Sequence, residues 1–168
     1  MSAITERALL FLDVDGPLIP FGAPPARRAD GSPLVHETAA GSANPLLDRL
    51  NPEHGPRLRR LPCDLVWATT WMADANEVIA PRLGLPELPV VTWPDEAEDD
   101  TRLHWKTRGL VDWAAGRPFV WVDDEITEAD RVWVDAHHGG PALLLRVDPR
   151  IGLSAADFAV VEDWLEQC

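Results

Sequence analysis

The chain has 168 residues, enough for one domain with a full core, and its 46% apolar and 26% charged content is that of an ordinary globular protein. Its 28 acidic against 15 basic residues give a net charge of −13, which disfavours nucleic acid as a partner except as the bearer of a terminal phosphate. Two cysteines, Cys63 and Cys168, without a CxxC pair exclude a disulfide framework, and no signal-peptide or membrane-span pattern is present, so the expected setting is the reduced cytoplasm, away from the membrane.

In chain order, residues 8–14 form the first of five short apolar runs and end in Asp13-Val14-Asp15-Gly16. Residues 17–60 are rich in Pro, Gly, Ala and Arg, with helical spacing only at 45–50, and predict a long insertion acting as a lid or reduced cap. It contains His36, a weak contact candidate, and Arg57, Arg59 and Arg60, either solvated surface or an anion patch. The second run, 64–68, is followed by Thr69 and Thr70, then by Trp71 and a predicted helix over 72–83. A third run covers 89–92, and the acidic stretch 95–100 predicts a solvated loop. Residues 104–115 predict a helix with Lys106 near its start. The fourth run, 119–122, ends in Asp123-Asp124. A helix over 127–138 opens on a Thr-Glu-Ala-Asp cap and stops at Gly139-Gly140. The fifth run is 142–147, and a capped helix closes the chain over 154–167.

Runs apolar throughout, alternating with helices, predict an α/β fold: a doubly wound, three-layer, Rossmann-like domain over 1–168 with a parallel sheet of about five strands. Ligands of such sheets bind beyond the carboxyl ends of the strands. There the sequence places Asp13 and Asp15, Thr69 or Thr70, and Asp123 and Asp124, with Lys106 nearby.

These residue types suit one chemistry. Clustered carboxylates become tolerable around a hard cation, and Mg2+ prefers oxygen ligands. One carboxylate beside a bound phosphate can attack phosphorus, while Lys106 and a threonine hydroxyl hold the phosphoryl oxygens. A second carboxylate two residues on can protonate the leaving oxygen and then activate water. Positions i and i+2 of an extended chain share a side, and Gly16 lets the chain turn without obstructing the substrate. Arg150 is either a substrate contact or the partner of Asp148 in a local ion pair, and Trp71 is either core or a rim platform.

Taken in order, Asp13-Val14-Asp15-Gly16, the Thr after Leu65-Val66-Trp67-Ala68, Lys106, and Asp123-Asp124 after Phe119-Val120-Trp121-Val122 resemble the haloacid dehalogenase (HAD) superfamily of phosphatases and related enzymes. Trp67-Ala68-Thr69-Thr70-Trp71, Ala75-Asn76 and Asp148-Pro149-Arg150-Ile151-Gly152-Leu153 resemble a small bacterial subgroup, similar to the HAD domain of Swiss Army Knife RNA repair-like proteins. The resemblance implies strand order 5-4-1-2-3 by run number, and a Mg2+-dependent phosphatase with Asp13 as nucleophile and Asp15 as general acid/base. It further implies that Thr69 and Lys106 bind the phosphoryl group, and that Mg2+ sits on the Asp13 carboxylate, the Asp15 carbonyl and Asp123 or Asp124, with a lean to Asp124. Thr70 stands as the alternative to Thr69. The implied partner is a phosphorylated substrate of unspecified class. A phosphate-binding or regulatory protein that keeps the site without turnover is the alternative. A receiver domain is disfavoured, because its acid pair precedes the acceptor Asp in the chain.

Overall fold

The computed structural model describes residues 7–20, 47, 49–93 and 103–167. His36, the acidic stretch 95–100 and residues 21–46 of the expected lid lie outside the described residues.

Leu9–Leu12 form strand β1, whose four residues are all buried because the strand has a helical layer on each face. Side chains alternate across a strand, and here Leu10 and Leu12 enter one apolar cluster while Leu9 and Phe11 enter the other. β2 (Asp64–Trp67), β3 (Phe119–Asp123) and β4 (Ala142–Arg146) pair parallel to give the order β2-β1-β3-β4. The register sets Leu12 beside Trp67 and Val122, so the ends of β2, β1 and β3 lie level. This levelling puts residues 13, 68 and 123 on one rim.

The strand expected at 89–92, the third apolar run, is not formed. Val90 makes one parallel bridge with Trp67, through Trp67 N–H to Pro89 O and Val91 N–H to Trp67 O, each 2.9 Å. Pro89 has no N–H for a ladder, and the segment stays a single rung beside β2.

One face of the sheet carries α1 (His54–Arg60), α2 (Ala80–Leu83) and α5 (Ala155–Glu166), which contribute Leu58, Leu83, Phe158, Val161 and Leu165. The other carries α3 (Thr107–Ala114) and α4 (Glu128–His137), with Leu110, Ala114 and Val134. Fully buried side chains such as Phe11, Phe119 and Phe158 each contribute about 1.5–3 kcal/mol relative to exposure.

Three elements depart from the expectation. Helix α1 ends the insertion, where loose chain was expected. Its Gly55 lets it lie directly on α2, since a Cβ there would fall 1.7 Å from the Leu83 carbonyl oxygen. The start of the insertion is also core: Leu18 and Ile19 are buried, and Leu153 N–H donates to Pro17 O at 2.8 Å. The helix expected over 72–83 is a wide π turn (Ala75–Ile79) running into α2. Pro81 cannot donate to the carbonyl four residues back, and a wider turn before it relieves the ring's clash. Helices α4 and α5 both start on the expected caps, as reciprocal capping boxes of Thr127 with Asp130 and Ser154 with Asp157. Among the described residues no helix is long and apolar enough to cross a membrane.

Candidate active site

Just beyond the ends of β1 and β3 lies a cleft of about 220 Å³, lined by Asp13, Asp15, Thr70, His104, Trp105, Lys106, Asp124 and Glu125. Asp13 leaves β1 with its N–H on Val122 O (3.1 Å), so the β1–β3 pairing fixes its backbone. Val14 is fully buried between Asp13 and Asp15, and both carboxylates line the same cleft.

Lys106 immediately precedes α3. Its ammonium lies 3.1 Å from Asp13 Oδ1 and 2.9 Å from Asp123 Oδ2. The three residues are only 3%, 7% and 1% exposed, so these charges depend on each other rather than on water. Lys106 has its pKa raised: burial works against the ammonium, and the two carboxylates outweigh it. Asp13 is pushed up to about 7, first by burial and then by Asp123, with Lys106 opposing. Asp124 is pushed up to about 6, again by burial first and by Asp123 next. One ammonium therefore leaves the acids under-compensated.

An oxygen from each of Asp13, Asp123 and Asp124 lies within 4.8 Å of the other two. Three hard carboxylate donors converging with surplus negative charge fit a Mg2+ ion. Asp123 is already engaged at both oxygens, by Lys106 Nζ and by the Glu125 N–H at 3.1 Å. Gly16 has φ +101°, and a Cβ there would fall 2.7 Å from Asp124 Cγ. The glycine thus lets the loop after β1 close onto the Asp124 carboxylate.

The two threonines separate. Thr70 is exposed and lines the cleft. Thr69 is fully buried, and its Oγ1 accepts the Trp71 N–H at 3.2 Å, leaving its own hydroxyl hydrogen to donate elsewhere. Arg150 is not brought to the cleft. Its side chain is 81% exposed and pairs with Asp148 at 3.2 Å, which is the ion-pair reading of that loop. Arg57 and Arg59 do not line the cleft either: Arg57 lies over the Phe158 ring and Arg59 donates to Gly84 O.

Trp71, open in sequence between core and rim platform, packs partly on the core while its indole N–H lies 3.3 and 3.2 Å from the two carboxylate oxygens of Asp15. Asp130 was not foreseen. Besides closing the cap of α4, this fully buried carboxylate accepts the His104 N–H and the Thr107 hydroxyl, both at 2.8 Å. Those bonds bracket Lys106 and hold it against the carboxylates. The Lys106 N–H also donates to His104 Nδ1 (3.1 Å), so neutral His104 carries its hydrogen on Nε2 and donates it to Glu125 Oε2 (3.1 Å). The Thr-x-x-Asp spacing announces the cap, but nothing in sequence announces the loop that Asp130 also holds.

Comparison with curated proteins and with solved structures returned no match. Against protein families, the profile described as "HAD domain in Swiss Army Knife RNA repair proteins" matches residues 9–158, from the first strand into α5. HAD domains are generally hydrolases and typically use Mg2+, in keeping with the acidic cluster. With nearly all of its length matched, and with the parallel sheet and the acids at its rim, the chain belongs to the HAD superfamily, in the family of HAD domains found in Swiss Army Knife RNA repair proteins.

Proposed function

We propose that the chain is a Mg2+-dependent phosphomonoesterase that works through an aspartyl-phosphate on Asp13. The observation that carries this reading is the buried Asp13–Lys106–Asp123 arrangement with Asp124 beside it, at the mouth of a cleft large enough for a phosphoryl group.

Asp13, Asp124 and the backbone carbonyl of Asp15 would hold the metal, with Asp123 orienting Lys106. When bound, Mg2+ neutralises the acids and draws charge from the phosphoryl oxygens. Asp13 Oδ attacks phosphorus, the bond to the ester oxygen breaks, and its electron pair leaves with that oxygen. Asp15, two residues along the same rim, gives its proton to the leaving oxygen. As carboxylate it then takes a proton from the water that hydrolyses the phosphoaspartate. Lys106 offers the phosphoryl group a fixed positive charge. Thr70 from the cleft wall, or Thr69 through its free hydroxyl hydrogen, donates to the same group.

Hydrolysis of p-nitrophenyl phosphate by wild type and Asp13→Asn, with Mg2+ and with chelator, tests this. Activity that needs both Mg2+ and Asp13 is expected. An Asp13→Asn protein as active as wild type would contradict it. A wild type that binds phosphate without turning over any phosphomonoester would favour the binding-protein alternative.

A further inference from the structure

We infer that Trp71 is a positioning residue for the proton-transfer step, an inference that rests on the reading of Asp15 as general acid/base. The backbone N–H of Trp71 closes a local turn, and its indole N–H crosses to the loop after β1. The backbone N–H donates to Thr69 Oγ1 at 3.2 Å, and the indole Nε1–H spans both Asp15 oxygens at 3.2 and 3.3 Å. Met72, the next residue, has φ 52°, a left-handed conformation uncommon for a residue with a Cβ. The chain thus turns sharply just after Trp71.

The chemistry gives the contact a direction. An indole nitrogen donates and never accepts. While Asp15 holds its proton, the indole donates to a neutral carboxyl. As the P–O bond breaks, the Asp15 proton passes to the leaving oxygen with that oxygen's new lone pair, and the carboxyl becomes a carboxylate. The same N–H then makes a charge-assisted bond, about twice as strong as the neutral one. The interaction strengthens as the step proceeds, which is the condition for it to raise the rate and not merely bind substrate. Spanning both oxygens also fixes the plane of the carboxyl group at the rim.

Trp71→Phe removes the N–H and keeps an aromatic ring where Trp71 packs on the core. The decisive comparison uses two esters with Mg2+. The p-nitrophenolate group leaves as a stable anion and hardly needs the proton, whereas an alkyl phosphate such as glycerol phosphate expels an alkoxide that does. The variant is expected to lose about 3- to 10-fold in kcat on the alkyl ester, the difference between a charge-assisted and a neutral hydrogen bond, with little change on p-nitrophenyl phosphate and little change in KM. In an Asp15→Asn background the same substitution is expected to change neither. Equal losses on both esters, or a melting temperature well below wild type, would mark Trp71 as a packing residue and overturn the inference while leaving the phosphatase reading intact. A wild type inactive on both esters would remove that reading, and this inference with it.

Discussion

Replacing Lys106 with methionine removes the one ammonium that the structure places between two buried carboxylates, at 3.1 Å from Asp13 and 2.9 Å from Asp123. Removing one partner of a buried ion pair costs about 3–5 kcal/mol, and with two carboxylates relying on one lysine the upper part of that range is expected when both are ionised. The cost depends on pH in a definite sense. The Asp13 carboxyl stands at about 7 when folded, against 3.8 as its ordinary value, chiefly through burial. A group raised in this way contributes its full stability below the ordinary value and loses it as pH rises through the folded one. Lys106 opposes that rise, so its removal sends the Asp13 carboxyl higher still. Near about pH 5 Asp13 takes a proton and the damage is small, whereas near about pH 8 it cannot do so cheaply. Urea unfolding of wild type and Lys106→Met at these two pH values, in chelator, is expected to show a stability gap that opens toward alkaline pH. A gap of the same size at both, or one that widens toward acid, would refute the reasoning.

Gly16→Ala forces a Cβ to 2.7 Å from Asp124 Cγ at a φ of +101°, a conformation costing about 1–3 kcal/mol for a residue with a side chain. A lower melting temperature and Mg2+ affinity weakened about 10-fold or more are expected by thermal-shift titration. Asp130→Ala removes the reciprocal half of the α4 capping box and two buried hydrogen bonds that bracket Lys106. It is expected to cost about 2–4 kcal/mol in denaturant unfolding and to lower kcat as well. Arg150→Ala breaks only an exposed ion pair, so stability is expected to stay within about 0.5 kcal/mol and activity to stay at the wild-type level. Because Asp13 and Asp124 are pushed up to about 7 and about 6, they must release protons to hold a metal. The rise in melting temperature with Mg2+ is therefore expected to be larger near about pH 8 than near about pH 5.

The fold was legible where periodicity decides. Uniformly apolar runs gave β1 to β4, and Thr-x-x-Asp and Ser-x-x-Asp spacings gave the starts of α4 and α5. It was not legible where one residue overrides a pattern. Pro89 keeps the third run from becoming a strand, Pro81 accompanies a π turn in place of a regular helix, and Gly55 allows a helix contact that no spacing reveals. The cleft followed the same division. Asp13, Asp15 and Asp124 stand where strand ends would put them, and Lys106 stands at the start of α3. Trp71 and Asp130 act through bonds to residues 56 and 26 positions away, at Asp15 and His104, and such long-range pairings leave no local mark.

The proposed reaction turns on Asp13 itself taking the phosphoryl group. Acid quench during turnover of a phosphomonoester with Mg2+, followed by peptide mass spectrometry, tests this most directly. The account predicts an acid-stable, alkali-labile phosphoryl group on the peptide containing Asp13, absent from the Asp13→Asn protein. Steady turnover with no phosphoenzyme on Asp13 in wild type, together with an equally active Asp13→Asn, would contradict it.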